Sequence, residues 1–183
     1  MKKTLLALFL LFGLTMVSAQ ESKLPALKEF HPDYRGIQSL QAIITTNEGK
    51  ITVDLNFKKA PIAVANFVEL ARKGFYNGLV FHRVMQRFMI QGGDPNGNGT
   101  GGPGYTIVTE KNDLKVEVGA IAMANTGEPN SAGSQFFLVQ WTQPQLDGMY
   151  TVFGKITDGL DVIYRVEKND PMLKVEIVET KSP

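Results

Sequence analysis

Phe81-His82-Arg83-Val84-Met85-Gln86-Arg87-Phe88-Met89-Ile90-Gln91-Gly92-Gly93-Asp94 strings an arginine, several large apolar side chains and a glutamine along what reads as paired strands, 79–84 and 88–92. Arg83 sits among Val80, Phe81, Val84 and Phe88. A cation in apolar surroundings is costly unless it has a partner or a task. Arg83 therefore asks for an explanation. A second stretch, Ala122-Met123-Ala124-Asn125 running on to Gly133-Ser134-Gln135-Phe136-Phe137-Leu138, repeats the mixture of amides and phenylalanines on strand-like segments.

Working outward, 41–46 and 51–57 flank Asn47-Glu48-Gly49-Lys50, a good hairpin signal. In the second arm Ile51, Val53, Leu55 and Phe57 alternate with Thr52, Asp54 and Asn56, the period of a strand with one buried face. Pro61 opens a helix where its missing N–H does no harm. Val64, Phe67, Val68 and Ala71 form its apolar stripe, and Gly74 is its stop. Further strand-like runs are 105–109, 120–125, 135–140, 151–157 and 173–179, with a second helix over 160–168 and Asp158 as its cap. Many short strands with two helices predict a mainly β fold, a closed antiparallel barrel rather than a parallel sheet.

The bulk numbers narrow the function. A length of 183 residues suits one domain with a proper core. A net charge of +1 gives no basic field for nucleic acid or an anionic membrane. The absence of cysteine excludes disulfides, thiol catalysis and Cys-ligated zinc, and two histidines are too few for most His-rich metal sites. Lys2-Lys3, the uncharged run 4–17 and the small residues of Val17-Ser18-Ala19 read as a secretory signal peptide, residues 1–19, cleaved after Ala19. The apolar run is short for a membrane span, although retention as an anchor is the alternative. Export to a periplasmic or secreted location follows, and a cysteine-free chain suits an oxidising compartment. Residues 20–38, with Pro25 and Pro32, read as a tether or loosely docked extension, and 39–183 as the domain proper.

Taken singly, the remaining motifs are weak. Gly97-Asn98-Gly99-Thr100-Gly101-Gly102 formally matches a dinucleotide fingerprint, but Pro103-Gly104 and a β-branched run follow where a helix is required. A long turn is the better reading. Asn98-Gly99-Thr100 also has the N-glycosylation pattern, which matters only in a eukaryotic host. His82 lacks a recognisable nucleophile or orienting acid and reads as a structural strand histidine. Met89 and Phe137 could each be core filler.

Together they do more. Phe81-His82-Arg83-Val84, Phe88-Met89-Ile90-Gln91-Gly92-Gly93-Asp94, Gly101-Gly102, Met123-Ala124-Asn125, Gly133-Ser134-Gln135-Phe136-Phe137, and Leu146-Asp147-Gly148 with Val152-Phe153-Gly154-Lys155 resemble the cyclophilins, peptidyl-prolyl isomerases, in order and spacing across residues of about 40 to 180. The resemblance implies an eight-stranded antiparallel barrel capped by two helices, with the active groove outside the barrel and a packed interior. It implies Arg83 as the catalytic residue and Phe88, Met89, Phe137 and Leu146 as an apolar proline pocket. Gln91 matches the polar partner of the rotating carbonyl. Ala124 and Asn125 match the segment that pairs with an extended peptide, and Gln135 lines the groove beside them. No cofactor and no metal are implied; the partners are proline-containing polypeptides, and a monomer is expected. Where many members carry tryptophan this chain has Gln145, and where they carry histidine it has Tyr150. Gln145 removes an indole that helps bind cyclosporin, so weak sensitivity is expected. Trp141, four residues upstream, is a poor replacement. Tyr150 keeps a flat ring with a polar end and still borders the pocket.

The implied reaction is rotation about an X–Pro amide, with a barrier of about 18–20 kcal/mol set by resonance. At the rotated transition state nitrogen recovers its lone pair, and a rigid, always-charged donor aimed there lowers the barrier. A module of the same fold that grips proline peptides without useful turnover is the competing reading. A barrel carrying a small ligand is a weaker third.

Overall fold

The computed structural model describes residues 25–182. The signal-peptide reading of 1–19 and the first five residues of the extension lie outside that range. The elements, in chain order, are β1 (Ile37–Thr46), β2 (Gly49–Leu55), α1 (Pro61–Arg72), β3 (Arg83–Met85), β4 (Met89–Gly92), β5 (Ala120–Met123), β6 (Phe136–Val139), a short 3-10 helix (Pro144–Leu146), β7 (Val152–Asp158), α2 (Val162–Arg165) and β8 (Met172–Lys181). The eight strands form one antiparallel sheet in the order β3-β4-β6-β5-β7-β2-β1-β8.

The expected closed barrel is corrected here. The sheet is open between its end strands β3 and β8, which share no ladder. A single bridge, Val80 with Pro171, spans the seam, supported by Met172 N–H to Leu79 O (2.7 Å) and Phe81 N–H to Asp170 O (2.9 Å). The three residues of β3 pair with β4 alone, and the chain just before β3 meets the start of β8 only at that bridge. Residues 105–109, read as a strand, make only isolated bridges, Thr106 with Leu27 and Ile107 with Ala132. The second helix is shorter than the expected 160–168, and Asp158 ends β7 instead of capping it.

The central strands explain why the sequence mixed its signals. β5 and β6 are buried on both faces. Along β6, Phe136 and Leu138 join the main core, whereas Phe137 and Val139 join a second cluster on the outer face. Along β5, Ile121 and Met123 point to the core, and Ala120 and Ala122 to the outer cluster. A strand covered on both sides reads as a continuous apolar run, with no alternation. Inside, Phe67 of α1 stacks on Tyr76 (5.0 Å between centroids) and meets Phe136 and Phe153, each at 5.4 Å. Val64, Val68 and Ala71 are buried with it, as their helical spacing implied. α1 lacks a side-chain cap at Ala60. Its first N–H groups are instead taken by Glu110, at 2.9 Å from Ile62 and 2.7 Å from Ala63. Burial raises the Glu110 pKa, although these two N–H bonds oppose the rise.

Residues 25–36 pack on this body. Lys28 N–H bonds Thr106 O (2.7 Å), Thr106 N–H bonds Ala26 O (3.0 Å), and Tyr34 stacks on Phe57 at 4.7 Å.

Candidate active site

Cross-strand partners in an antiparallel ladder present their side chains on the same face. The register therefore builds a row across the outer face: Arg83 opposite Gln91, Gln91 opposite Phe137, Phe137 opposite Ala122, and Ala122 opposite Val152. The adjacent row, Val84, Ile90, Leu138, Ile121 and Gly154, faces the core. Gly154 is required in that row, because a Cβ there would strike the backbone of Asp54 and come within 3.0 Å of Ile121.

Arg83, Gln91 and Phe137 of the outer row line a groove of about 400 Å³. Of the residues singled out from the sequence, Arg83, Phe88, Met89, Gln91, Ala124, Asn125, Phe137, Leu146 and Tyr150 all line it. Gln135 lines the adjoining hollow with Gln91, Ala124 and Asn125. Phe88 sits on the turn between β3 and β4, Leu146 on the 3-10 helix and Tyr150 just before β7. Tyr150 meets Phe137 edge-on, centroids 5.1 Å apart. The result is an apolar slot roughly the size of a small ring, with a wet rim.

Arg83 is exposed at the edge of that slot, and among the described residues no carboxylate lies within ion-pair distance of it. Its guanidinium carbon lies 5.9 Å from the Phe88 ring centroid, its Nη1 lies 3.5 Å from Gln91 Oε1, and its Nη2 contacts Met85 Sδ at 2.9 Å. Gln91 Nε2 donates to Gln135 Oε1 (2.9 Å), and Gln135 Nε2 donates to the carbonyls of Gly99 (3.0 Å) and Gly101 (2.9 Å). The cation is thus met by one amide oxygen and one thioether, neither of which neutralises its charge. Asn125 is tied through its side chain, to Met149 O at 3.1 Å and to Gly127 N–H at 3.0 Å. Its main-chain N–H and C=O make no hydrogen bond among the described residues, so they are available to an extended peptide.

The sequence reading missed several contributors. His82, taken as structural, lines the groove together with Asn98 and Gly99. Its ring is buried and Nδ1 has no hydrogen-bond partner among the described residues. Burial lowers the His82 pKa; nearby Asp94 opposes that, while Arg83 and Lys168 add to it. Asp94, 1% exposed, accepts the N–H groups of Asn96 (2.8 Å), Asn98 (2.9 Å) and Gly99. Burial alone would raise its pKa, but those three donors hold it below the ordinary carboxylate range. Gln140, fully buried, accepts Arg87 N–H at 3.1 Å and donates to Ile163 O at 2.6 Å, which fixes Arg87 at φ 60 and so aims the Phe88 turn. The only signal for these residues was position: an acid after Gly92-Gly93 and an amide two residues after Leu138.

Comparisons with known proteins give one consistent result. A family model described as cyclophilin type peptidyl-prolyl cis-trans isomerase/CLD matches residues 41–182. A peptidyl-prolyl cis-trans isomerase of Synechococcus elongatus is 48% identical over 140 residues, covering 75% of this chain and 96% of that protein. Peptidyl-prolyl cis-trans isomerase B of Bacillus subtilis is 50% identical over 130 residues, covering 70% and 90%. A crystal structure of a Cryptosporidium parvum cyclophilin type peptidyl-prolyl cis-trans isomerase superposes with a TM-score of 0.69 at 34% identity, covering 79% of this chain and 99% of that one. A second structure of it, determined in the presence of the dipeptide Ala-Pro, gives 0.68 at 33% identity, covering 78% and 99%.

Proposed function

The chain belongs to the cyclophilin-type peptidyl-prolyl cis-trans isomerases, and on that premise we propose that its groove beside Arg83 is where the X–Pro bonds of polypeptide substrates turn. The observation that carries this reading is the presence, in one groove, of an apolar slot and an arginine that has no carboxylate partner among the described residues. The substrate's prolyl ring rests on Phe88, Met89, Phe137, Leu146 and Tyr150, which hold it while the preceding residue rotates. Gln91 uses one amide hydrogen on Gln135, so its second is free for the rotating carbonyl. The N–H groups of Arg83 not engaged by Gln91 or Met85 face the imide nitrogen as its lone pair reappears. That bond is stronger in the transition state than in either planar ground state, which is the condition for acceleration. Cis and trans differ by only about 0.5–1 kcal/mol, so both are populated and the slow step is the rotation between them, which is what the enzyme accelerates.

The test is the catalysed isomerisation rate on a proline tetrapeptide for wild type, Arg83→Ala and Arg83→Lys. A charged donor of this kind is worth about 3–4 kcal/mol by analogy with oxyanion donors. Arg83→Ala should therefore lower kcat/KM by roughly 10²–10³. Lysine, a more hydrated point charge, should recover a small part. Because Arg83 is exposed, the thermal midpoint should not move. Equal rates in wild type and Arg83→Ala would sink the mechanism and favour a binding module.

We further propose that the clients are exported proteins in the periplasm or secreted space and that the enzyme acts as a monomer. The first rests on the basic, apolar and small-residue pattern of 1–19. N-terminal sequencing of the protein from its host should find Gln20, in the exported fraction; an intact start in the cytosol would refute it. Sedimentation equilibrium checks the second.

A further inference from the structure

An indole, a thioether and a guanidinium group lie exposed around the Phe88 turn, at the end of the slot away from Asn125. Trp141, the single tryptophan of the chain, is 59% exposed, and Met85 is 43% exposed. Arg87 is exposed beside the half-buried Phe88. One exposed apolar side chain is ordinary, whereas several gathered at the mouth of a groove mark a contact surface.

Hydrogen bonds bring these residues together. Phe88 N–H bonds Met85 O (3.0 Å), and Phe88 O accepts the N–H groups of Gln140 (2.9 Å) and Trp141 (3.3 Å). Gln140 then fixes both ends of the patch. Its side chain accepts Arg87 N–H at 3.1 Å, and its main-chain carbonyl, in the peptide unit leading to Trp141, accepts the Tyr164 hydroxyl at 2.9 Å. The backbone that presents the indole and the guanidinium is therefore set before anything binds, which lowers the entropic cost of using them. Aromatic residues, Met and Arg are also the types enriched at contact surfaces.

We infer that this patch is a docking surface for the substrate segment that follows the isomerised proline, and that it favours an acidic residue followed by an apolar one. The inference rests on the proposed role of the groove. Asn125 and Gln135 lie where β4 ends and β6 begins, and Phe88 and Trp141 lie at the opposite end of those two strands. With the prolyl ring in the slot and the preceding carbonyl at Gln91, the chain before proline lies toward Asn125, so the chain after it leaves past Phe88. At about 3.3–3.6 Å per extended residue, the second and third residues after proline reach the turn that carries Arg87 and Trp141. A carboxylate there meets the Arg87 guanidinium, and an aliphatic side chain covers the indole.

The experiment titrates the full chain with two peptides, Ala-Ala-Pro amide and Ala-Ala-Pro-Gly-Asp-Leu, and reads Trp141 emission and Kd. The indole is the only one in the chain, so its emission reports this surface alone. The longer peptide should shift the emission to the blue, and the shorter should not. Coverage of roughly 40–55 Å² corresponds to about a fivefold to tenfold tighter Kd for the longer peptide. Trp141→Ala should abolish that advantage. Exchanging the peptide's Asp for Lys should weaken binding to wild type by about twofold to fivefold, and Arg87→Gln should erase the difference. An unmoved emission with the longer peptide overturns the inference, as does an advantage that survives Trp141→Ala; an Asp-to-Lys difference that survives Arg87→Gln overturns the charge preference. Emission and Kd need no turnover. Equal affinities in an enzyme that turns over would therefore sink the docking surface alone, whereas failure of both peptides to bind would sink the groove itself.

Discussion

Asp94→Asn is the change most exposed to refutation, because it alters one atom and touches no substrate. Asp94 Oδ1 accepts Asn96 N–H, and Oδ2 accepts both Asn98 and Gly99. Asparagine has a single carbonyl oxygen. If that oxygen serves Asn98 and Gly99, the new NH₂ faces the Asn96 N–H, and one bond becomes a donor against a donor in a site that is 1% exposed. Each bond to a charged acceptor is worth about 1.5–3 kcal/mol, so the expected loss of stability is about 2–4 kcal/mol. For a domain of this size, each kcal/mol moves the midpoint by about 2–4 °C, so a drop of roughly 4–16 °C is expected. Activity should fall as well, by about tenfold, because Gly99 O anchors Gln135, which holds Gln91 beside Arg83. The turn has no slack with which to compensate: a Cβ at Gly101 would collide with Asp94 Oδ1. Calorimetry and the tetrapeptide assay read the two effects. A midpoint within 1 °C of wild type with full activity would refute the idea that this carboxylate organises the loop and, through it, the catalytic amides.

Two further outcomes follow from the same structure. His82 has a folded-state pKa below its ordinary 6.5, chiefly through burial, so the unfolded chain takes the proton first. Stability should therefore decline as pH falls from about 6.5 toward the folded-state value, and His82→Asn should flatten that limb of a melting-point-against-pH plot; an unchanged slope would show that the ring does not titrate this way. Gln145 is exposed beside the slot residue Leu146, and Trp141, 59% exposed, is not among the residues lining the groove. Gln145→Trp should tighten cyclosporin inhibition by about tenfold or more while leaving peptide turnover near wild type, as read from inhibition curves.

The legible parts of the fold were those where one element dictates its own pattern. The β2 alternation, the α1 stripe and the Gly74 stop, at φ +70, depend on local periodicity and on a single positive-φ glycine. The strand 105–109 was misread because Tyr105, Ile107 and Val108 suit a strand, yet their neighbours are the N-terminal extension and Ala132, each offering a single bridge. No local window contains that information. The slot was legible through the resemblance to the cyclophilins, which singled out Phe88, Met89, Gln91 and Phe137; taken alone, Met89 and Phe137 read as core filler. Its supports were not, since Asp94 and Gln140 act by hydrogen bonds to the backbone of loops placed only in the finished fold.

The end strand that carries the guanidinium has a mechanical consequence. Freeing β3 breaks three register pairs with β4, whereas moving β6 would tear two ladders and both hydrophobic clusters. Met89 and Phe137, at the base of the slot, thus lie on strands paired on both sides, while the cation lies on an edge strand paired on one. A substrate that swings through half a turn has its seat in the weave and its charged neighbour on the selvedge, and amide-proton exchange should find the edge the earlier of the two to loosen.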